Sequence, residues 1–127
     1  MKKFLSILFL FSIFVFGSIA ANGMTYDEAM AQTKPVAVLI YADWADDVQQ
    51  VMQVYNAKGQ DYSDKYNFVT MNIASPETKS FNKTFHIYPN LPYVLLFREK
   101  GKISRYLNKD CVLKDSCFTE KLNFFVN

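Results

Sequence analysis

The chain has 127 residues, with 14 basic and 12 acidic side chains and a formal net charge of +2. No basic stripe runs along the sequence, and the aromatic residues follow core-like periodicities, which argues against nucleic-acid binding. The length suits a leader segment followed by one domain of ordinary size.

The leader has the pattern of a secretory signal peptide. Lys2 and Lys3 form a basic start, residues 4–16 are almost entirely apolar, and Ser18-Ile19-Ala20 offers the small residues of a cleavage site. We therefore expect cleavage after Ala20 and export of the protein to the periplasm or the medium.

An uncleaved anchor is the alternative, because residues 4–21 reach the lower limit of a membrane span. In either case the folded part is expected to be one domain over residues 21–127. Both leader lysines lie before it, so this domain has equal numbers of basic and acidic residues and no net charge.

The first half of the domain has the pattern of a helix, a strand and a helix. Thr25 and Glu28 fit a capping box, which predicts a short helix to about Gln32. The run Val36–Tyr41 is apolar and rich in β-branched residues, as in a central strand covered on both faces. An amphipathic helix that stops near Lys58-Gly59 is predicted next. Its apolar stripe consists of Val48, Val51, Met52 and Tyr55.

The second half predicts a strand, a helix, two further strands and a helix. Asn67–Ile73 is typical of a second parallel strand, and Ser75-Pro76-Glu77 has the cap and proline of a helix start. Tyr93–Phe97 and Ile103–Leu107 are predicted to pair as an antiparallel hairpin. The last helix is expected to begin near Asp115. The core-facing residues predicted for the two helices are Phe81 and Phe85, then Phe118, Leu122 and Phe125.

Two segments resemble parts of the thioredoxin-like superfamily. Lys34–Trp44, which ends in Tyr-Ala-Asp-Trp, is similar to the strand before the active site in secreted bacterial thioredoxin domains, including the soluble C-terminal domain of membrane thiol-disulfide reductases. Leu91–Phe97 resembles the family's cis-proline segment and the strand after it. The resemblance and the element order imply an α/β thioredoxin fold, a central mixed sheet with helices on both faces. The family's extra N-terminal strand has no counterpart before Thr25.

The resemblance also implies a degenerate active site. Ala45 and Val48 stand where the family has the two cysteines of Trp-Cys-x-x-Cys. Dithiol exchange needs a thiolate at a helix start and a second thiol to resolve the mixed disulfide. Leu39 stands at the family's buried carboxylate, and Gln53 at its helix proline. We therefore expect no catalytic residues here and lean towards a protein that is not an enzyme.

Two carboxylates replace the dipeptide between the cysteines. We expect Asp46 and Asp47 to stabilise the helix start through its orphan N–H groups and its dipole. With Asp43 they suggest a calcium site, but such a site needs about six to eight oxygens. No Asp-x-Asp-x-Asp-Gly loop is present, so we predict neither a metal site nor a cofactor.

The proline segment predicts a surface for a partner. In the family, its backbone lies beside the active-site helix, where an extended peptide can pair with it. We therefore predict that Trp44, Asp46, Asp47, Leu91 and Pro92 bind a polypeptide or partner protein. The competing interpretation is that Pro92 serves folding alone and that Trp44 only packs.

Cys111 and Cys117 are the only two cysteines. An even count in an exported chain favours a disulfide, which we expect to lie away from the Pro92 segment. The first alternative function is a thiol-disulfide oxidoreductase that uses this displaced pair, with Cys117 in the first turn of the last helix. The second is a structural accessory subunit of an envelope complex.

Overall fold

The computed structural model describes residues 24–84 and 90–126. The predicted signal peptide and Phe85 lie outside these ranges. Within them, no helix combines the length and the hydrophobicity that a membrane crossing requires. The elements in chain order are α1 (Tyr26–Met30), β1 (Val36–Tyr41), α2 (Val48–Asp61), β2 (Asn67–Asn72), α3 (Pro76–Thr84), β3 (Tyr93–Arg98), β4 (Ile103–Leu107), α4 (Lys109–Leu113) and α5 (Asp115–Phe125).

The four strands form one mixed sheet in the order β2-β1-β3-β4. Strand β1 pairs in parallel with β2, placing Val38 opposite Val69, and antiparallel with β3, placing Val38 opposite Leu95. Strand β4 pairs antiparallel with β3. The central position of β1 explains its unbroken apolar run, because a strand covered on both faces has no polar side. The predicted mixed sheet is confirmed.

Each face of the sheet has its own hydrophobic core. Successive side chains of a strand point to opposite faces, so Ala37 and Leu39 belong to one core and Val38 and Ile40 to the other. The first core is closed by α2, α4 and α5, and the second by α1 and α3. The buried helix residues of the first core are Val51, Tyr55, Val112, Phe118, Leu122 and Phe125; those of the second are Ala29 and Phe81.

The start of α1 confirms the predicted capping box. The Thr25 hydroxyl accepts from the Glu28 N–H at 3.1 Å, and the Glu28 carboxylate accepts from the Thr25 N–H at 2.9 Å. The helix ends at Met30 rather than near Gln32.

Helix α2 is fixed to the sheet by the buried hydroxyl of Tyr55. This oxygen lies 2.7 Å from the Ala37 carbonyl oxygen and 2.6 Å from that of Val69, and it accepts from the Val69 N–H at 3.1 Å. Burial raises the pKa of Tyr55 well above its ordinary value. The hydroxyl therefore ties the helix to both β1 and β2 at the base of the first core.

The same helix continues past the predicted stop at Lys58-Gly59 and ends at Asp61. Gly59 lies against the ring of Phe68, where an added Cβ would come within 3.3 Å of a ring carbon. The glycine therefore permits a close approach of helix and strand instead of ending the helix. Lys58 contributes a further link, since its ammonium lies 2.6 Å from the Asp115 carboxylate at the start of α5.

Candidate functional site

A groove of about 640 Å³ opens at one edge of the sheet. The C-terminal ends of β1 and β4 and the N-terminal end of β3 all meet at this edge, because β3 runs antiparallel to both neighbours. The connections that leave these strand ends form the walls. The lining residues are Trp44, Ala45, Asp46, Asn90, Leu91, Tyr106, Asn108, Lys109 and Asp110.

Trp44 is the most exposed large apolar side chain of the described residues, with 74% of its surface accessible. It lies in the turn between β1 and α2, next to Ala45, which is buried at 8% exposure. The Ala45 N–H donates to the Ala42 carbonyl at 3.1 Å, which holds this turn closed. The indole is therefore presented on a fixed wall of the groove.

The start of α2 offers no ionisable nucleophile. Val48 is the first residue of the helix, and Ala45 precedes it by three positions in the wall of the groove. Leu39, in the strand beneath, is completely buried within the first core. These side chains provide neither a thiol nor a buried carboxylate at this helix start.

Asp47 does not cap α2 in the manner expected. It occupies the N-cap position with φ 62°, in the left-handed region, and its side chain accepts no hydrogen bond from the helix. One carboxylate oxygen instead lies 3.3 Å from the ammonium of Lys109 in α4. The prediction of a capping carboxylate was therefore wrong for Asp47, whose side chain joins two helices.

The three nearby aspartates do not gather around one point. Asp46 is exposed in the groove wall, Asp47 pairs with Lys109, and the Asp43 carboxylate accepts from the Asn72 amide at 3.2 Å. Within residues 24–84 and 90–126, no group of three or more His, Cys, Asp or Glu side chains is arranged to hold a metal ion.

The peptide bond between Leu91 and Pro92 is cis, as the resemblance implies. Leu91 is half-buried against the second core and lines the groove, whereas Pro92 is buried and does not form its wall. The groove thus brings together Trp44, Asp46 and Leu91 of the predicted partner-binding residues. Pro92 and Asp47 lie outside its lining.

Solved structures of thioredoxins are similar to this chain across most of its length. The thioredoxin of Plasmodium falciparum has a TM-score of 0.60 at 14% identity and covers 80% of this chain and 90% of its own. Thioredoxin f2 of Chlamydomonas reinhardtii has a TM-score of 0.57 at 19% identity, with 76% and 83% covered. The chain therefore has the thioredoxin fold.

Curated relatives that are named as thioredoxin-like or thiol:disulfide interchange proteins share a shorter region with this chain. The chloroplastic thioredoxin-like protein HCF164 of Oryza sativa is 39% identical over 56 residues, which is 43% of this chain and 21% of that protein. The thiol:disulfide interchange protein TxlA of Synechococcus elongatus is 35% identical over 69 residues, 51% of this chain and 36% of that protein. The chain thus matches only about a fifth to a third of these relatives' length. No family model matches the chain.

The wall contributed by β4 and α4 was not predicted from the sequence. Asn108 caps α4, since its side-chain oxygen accepts from the Cys111 N–H at 2.9 Å. Tyr106 lies on the exposed part of β4, with its ring 5.1 Å from that of Tyr93. An asparagine directly after a strand was the available signal for α4, because asparagine is among the preferred N-cap residues.

The predicted disulfide between Cys111 and Cys117 is confirmed, with 5.2 Å between the two Cα atoms. It links α4 to the first turn of α5, and both cysteines are half-buried. Neither cysteine is among the described lining residues of the groove. Asp110, the residue before Cys111, lines the same groove as Leu91.

Proposed function

We propose that this thioredoxin-like domain is exported and binds an extended segment of a partner protein in the groove between Trp44 and Leu91, without dithiol catalysis. The observation that carries the proposal is the exposed indole of Trp44 on the wall of a groove whose helix start has Ala45 and Val48. This combination supports binding of a partner without dithiol chemistry.

Trp44 is the strongest argument for binding. Tryptophan is enriched among the residues that contribute most to protein interfaces, because it buries a large area and still has a polar N–H. Leu91 and Tyr106 add apolar surface to the same groove. The groove is also concave and lies next to the end of a β-strand, which suits an extended chain better than a flat protein surface.

Dithiol catalysis requires chemical groups that the start of α2 does not have. The attacking group must be a thiolate, and a helix start is where its pKa is lowered. Alanine and valine at positions 45 and 48 cannot form or resolve a mixed disulfide. The interchange activity in the name of the Synechococcus relative describes that protein, and this chain has no thiol at its corresponding helix start.

Export is supported by the signal-peptide pattern of residues 1–20 and by the disulfide between Cys111 and Cys117. Disulfides persist in oxidising compartments such as the periplasm and the extracellular medium. We place the protein in one of these, with an uncleaved anchor as the alternative. The mass of the protein isolated from cell fractions distinguishes cleavage after Ala20 from retention of the leader.

The test of binding compares substitutions of two exposed aromatic residues, one inside the groove and one outside it. Wild-type protein, Trp44→Ala and Phe124→Ala are immobilised and exposed to an extract of the exported compartment, and the affinity of each captured partner is then measured. Phe124 is the matched control, because it is 66% exposed on α5 and lies outside the groove lining.

We expect Trp44→Ala to weaken binding about tenfold or more, as for a central interface residue, and Phe124→Ala to leave it unchanged. Both variants should retain the far-UV circular dichroism spectrum of the wild type. A partner that binds Trp44→Ala as tightly as wild type contradicts the proposal.

A second candidate is thiol-disulfide exchange by Cys111 and Cys117. One observation favours it: Cys117 lies in the first turn of α5, where a thiolate is stabilised by the helix dipole. This candidate predicts turnover with a dithiol reductant that is lost in both Cys111→Ser and Cys117→Ser. The binding proposal predicts no such turnover.

A further inference from the structure

We infer that the groove selects polypeptides bearing arginine or lysine, held between the exposed rings of its walls and the carboxylates of Asp46 and Asp110. The inference rests on the proposed binding of an extended segment in the same groove. It adds the chemistry of that segment, which the thioredoxin fold does not specify.

The charges of the described lining residues favour a cationic ligand. Asp46 and Asp110 are exposed acids of the groove wall, and Lys109 is the single basic residue among its described lining residues. The ammonium of Lys109 lies 3.3 Å from the Asp47 carboxylate, so these two charges largely offset each other. Two negative charges remain, and no ion pair reaches either of them from the part of the chain that the structure describes.

The two carboxylates belong to different walls of the groove. Asp46 lies in the turn that follows β1, and Asp110 lies in α4, which follows β4. Strand β3 runs between β1 and β4, with Leu91 just before its start. A segment bound in the groove along Leu91 therefore meets acids from two different elements. Two carboxylates that line one groove from different elements favour a basic side chain within it.

The nearest basic residue of β4 does not change this balance. Arg105 is adjacent to Tyr106, but successive side chains of a strand point to opposite faces of the sheet. Arg105 lies opposite Leu96 of the first core, and Tyr106 lies opposite Leu95 of the second. Arg105 therefore projects from the other face.

The aromatic rings in the groove also favour a basic side chain. A guanidinium or an ammonium over an aromatic face, within about 6 Å of its centre, gains a cation–π attraction that is largest for tryptophan. Trp44 and Tyr106 are both exposed and both line the groove. An arginine can stack on a ring with its plane and donate to a carboxylate with its edge. The combination of rings and acids thus favours arginine most, then lysine.

Acidic segments are disfavoured by the same arrangement. Glutamate or aspartate in the groove would approach Asp46 and Asp110 with like charge and would lose its own hydration, and such contacts reduce affinity for the wrong partner. The groove therefore discriminates by repulsion as well as attraction. Its preference should weaken as salt is added, because these charges are exposed and screened.

The experiment selects ligands without assuming a partner. A display library of random 12-residue peptides is selected against the protein isolated from cells that express the full chain. Selected peptides are then titrated against wild type by the fluorescence of Trp44, the only tryptophan. The variants are titrated with the same peptides, and binding is measured by calorimetry. They are Trp44→Ala, the double variant Asp46→Asn with Asp110→Asn, and a control that removes two acids elsewhere.

The matched control is Asp61→Asn with Asp64→Asn. Both acids are exposed, at and just beyond the last residue of α2, and the length of this helix places them about 20 Å from its start. The control changes the net charge by the same amount as the test variant. Any difference between the two therefore reports on charge within the groove.

We expect the selected peptides to be enriched in arginine and lysine and depleted in aspartate and glutamate. The test double variant should weaken their binding about tenfold, while the control double variant changes it less than about twofold. Peptides that depend on Trp44 but show no basic enrichment, or that bind both double variants equally, overturn the charge preference and leave the proposed groove intact. Failure to select any peptide that depends on Trp44 overturns both.

Discussion

The ammonium of Lys109 lies 3.3 Å from the carboxylate of Asp47 and joins the first turn of α4 to the start of α2. Both side chains are partly exposed, so the pair contributes modestly to stability, about 0.2–1 kcal/mol. Its position matters more than its strength. The pair holds the wall that contains Asp110 against the wall that contains Trp44, and it offsets the positive charge of Lys109.

Substitutions of Asp47 separate this ion pair from the backbone conformation. Asp47 has φ 62°, which asparagine and glycine tolerate and alanine does not. We expect Asp47→Asn to lower the free energy of unfolding by less than about 1 kcal/mol, through loss of the pair alone. Asp47→Ala should cost about 1–2 kcal/mol more, because alanine also has the left-handed penalty.

Urea unfolding of these variants measures both effects, with Lys109→Met as the control that removes the pair without changing Asp47. The loss in Lys109→Met should match that in Asp47→Asn. Equal stability of Asp47→Ala and Asp47→Asn would contradict the assignment of a strained backbone at this position.

The elements that were predicted from the sequence have strong local signals. The apolar run of β1, the capping box before α1 and the helical stripe of α2 each follow from residues close together in the chain. Helix α4 was not predicted, because it is only five residues long and begins with a single asparagine cap. The end of α2 was predicted too early, because Gly59 packs against Phe68, a residue of another element.

Some residues of the candidate site were predicted from the sequence, and others were not. The resemblance identified Trp44, Asp46 and Leu91, which lie in the groove. It gave no indication of Tyr106 and Asp110, since their approach to Trp44 depends on the strand order and on the course of the chain after β4. Contacts of this kind arise from topology, and no periodicity within one segment reports them.

The disulfide makes a prediction about mass and stability. The exported protein should be two hydrogens lighter than its all-thiol form, with Cys111 linked to Cys117. The bridge joins cysteines with a sequence separation of 6. For a loop of this size the loop-entropy expression gives a stabilisation of about 2 kcal/mol. Urea unfolding with and without a reductant measures this difference. Rapid alkylation of both cysteines in the native, unreduced protein would contradict the prediction.

The absence of a thiol at the start of α2 predicts that the protein does not reduce insulin disulfides above background. Ala45 and Val48 provide no nucleophile, and the two cysteines are joined to each other. Turbidity of insulin in the presence of a dithiol reductant measures the activity, with a thioredoxin as the positive control. Turnover that disappears in Cys117→Ser would replace the binding proposal with the oxidoreductase candidate. Restoring activity by Ala45→Cys with Val48→Cys would support the assignment of these two positions.

Buried tyrosines predict a loss of stability at high pH. Burial raises the pKa of Tyr55 and of Tyr66 well above 10, and burial followed by the charge of Asp27 raises the pKa of Tyr26 to about 12. A raised pKa means that the folded state retains a proton that the unfolded state releases. The stabilising contribution is therefore complete below pH 10 and is lost as the pH rises through the folded-state pKa.

For Tyr55 alone, the free energy of unfolding should fall by about 1.4 kcal/mol per pH unit above pH 10. Tyr55→Phe removes this slope. At pH 7 the same variant should be less stable by about 1–3 kcal/mol, because the Val69 N–H loses its acceptor inside the sheet. Urea unfolding between pH 8 and 11 compares the two proteins. The lysines titrate in both proteins, so the difference between the two stability curves isolates Tyr55. Parallel curves above pH 10 would contradict the prediction, because they would show that the Tyr55 hydroxyl ionises as readily in the folded as in the unfolded chain.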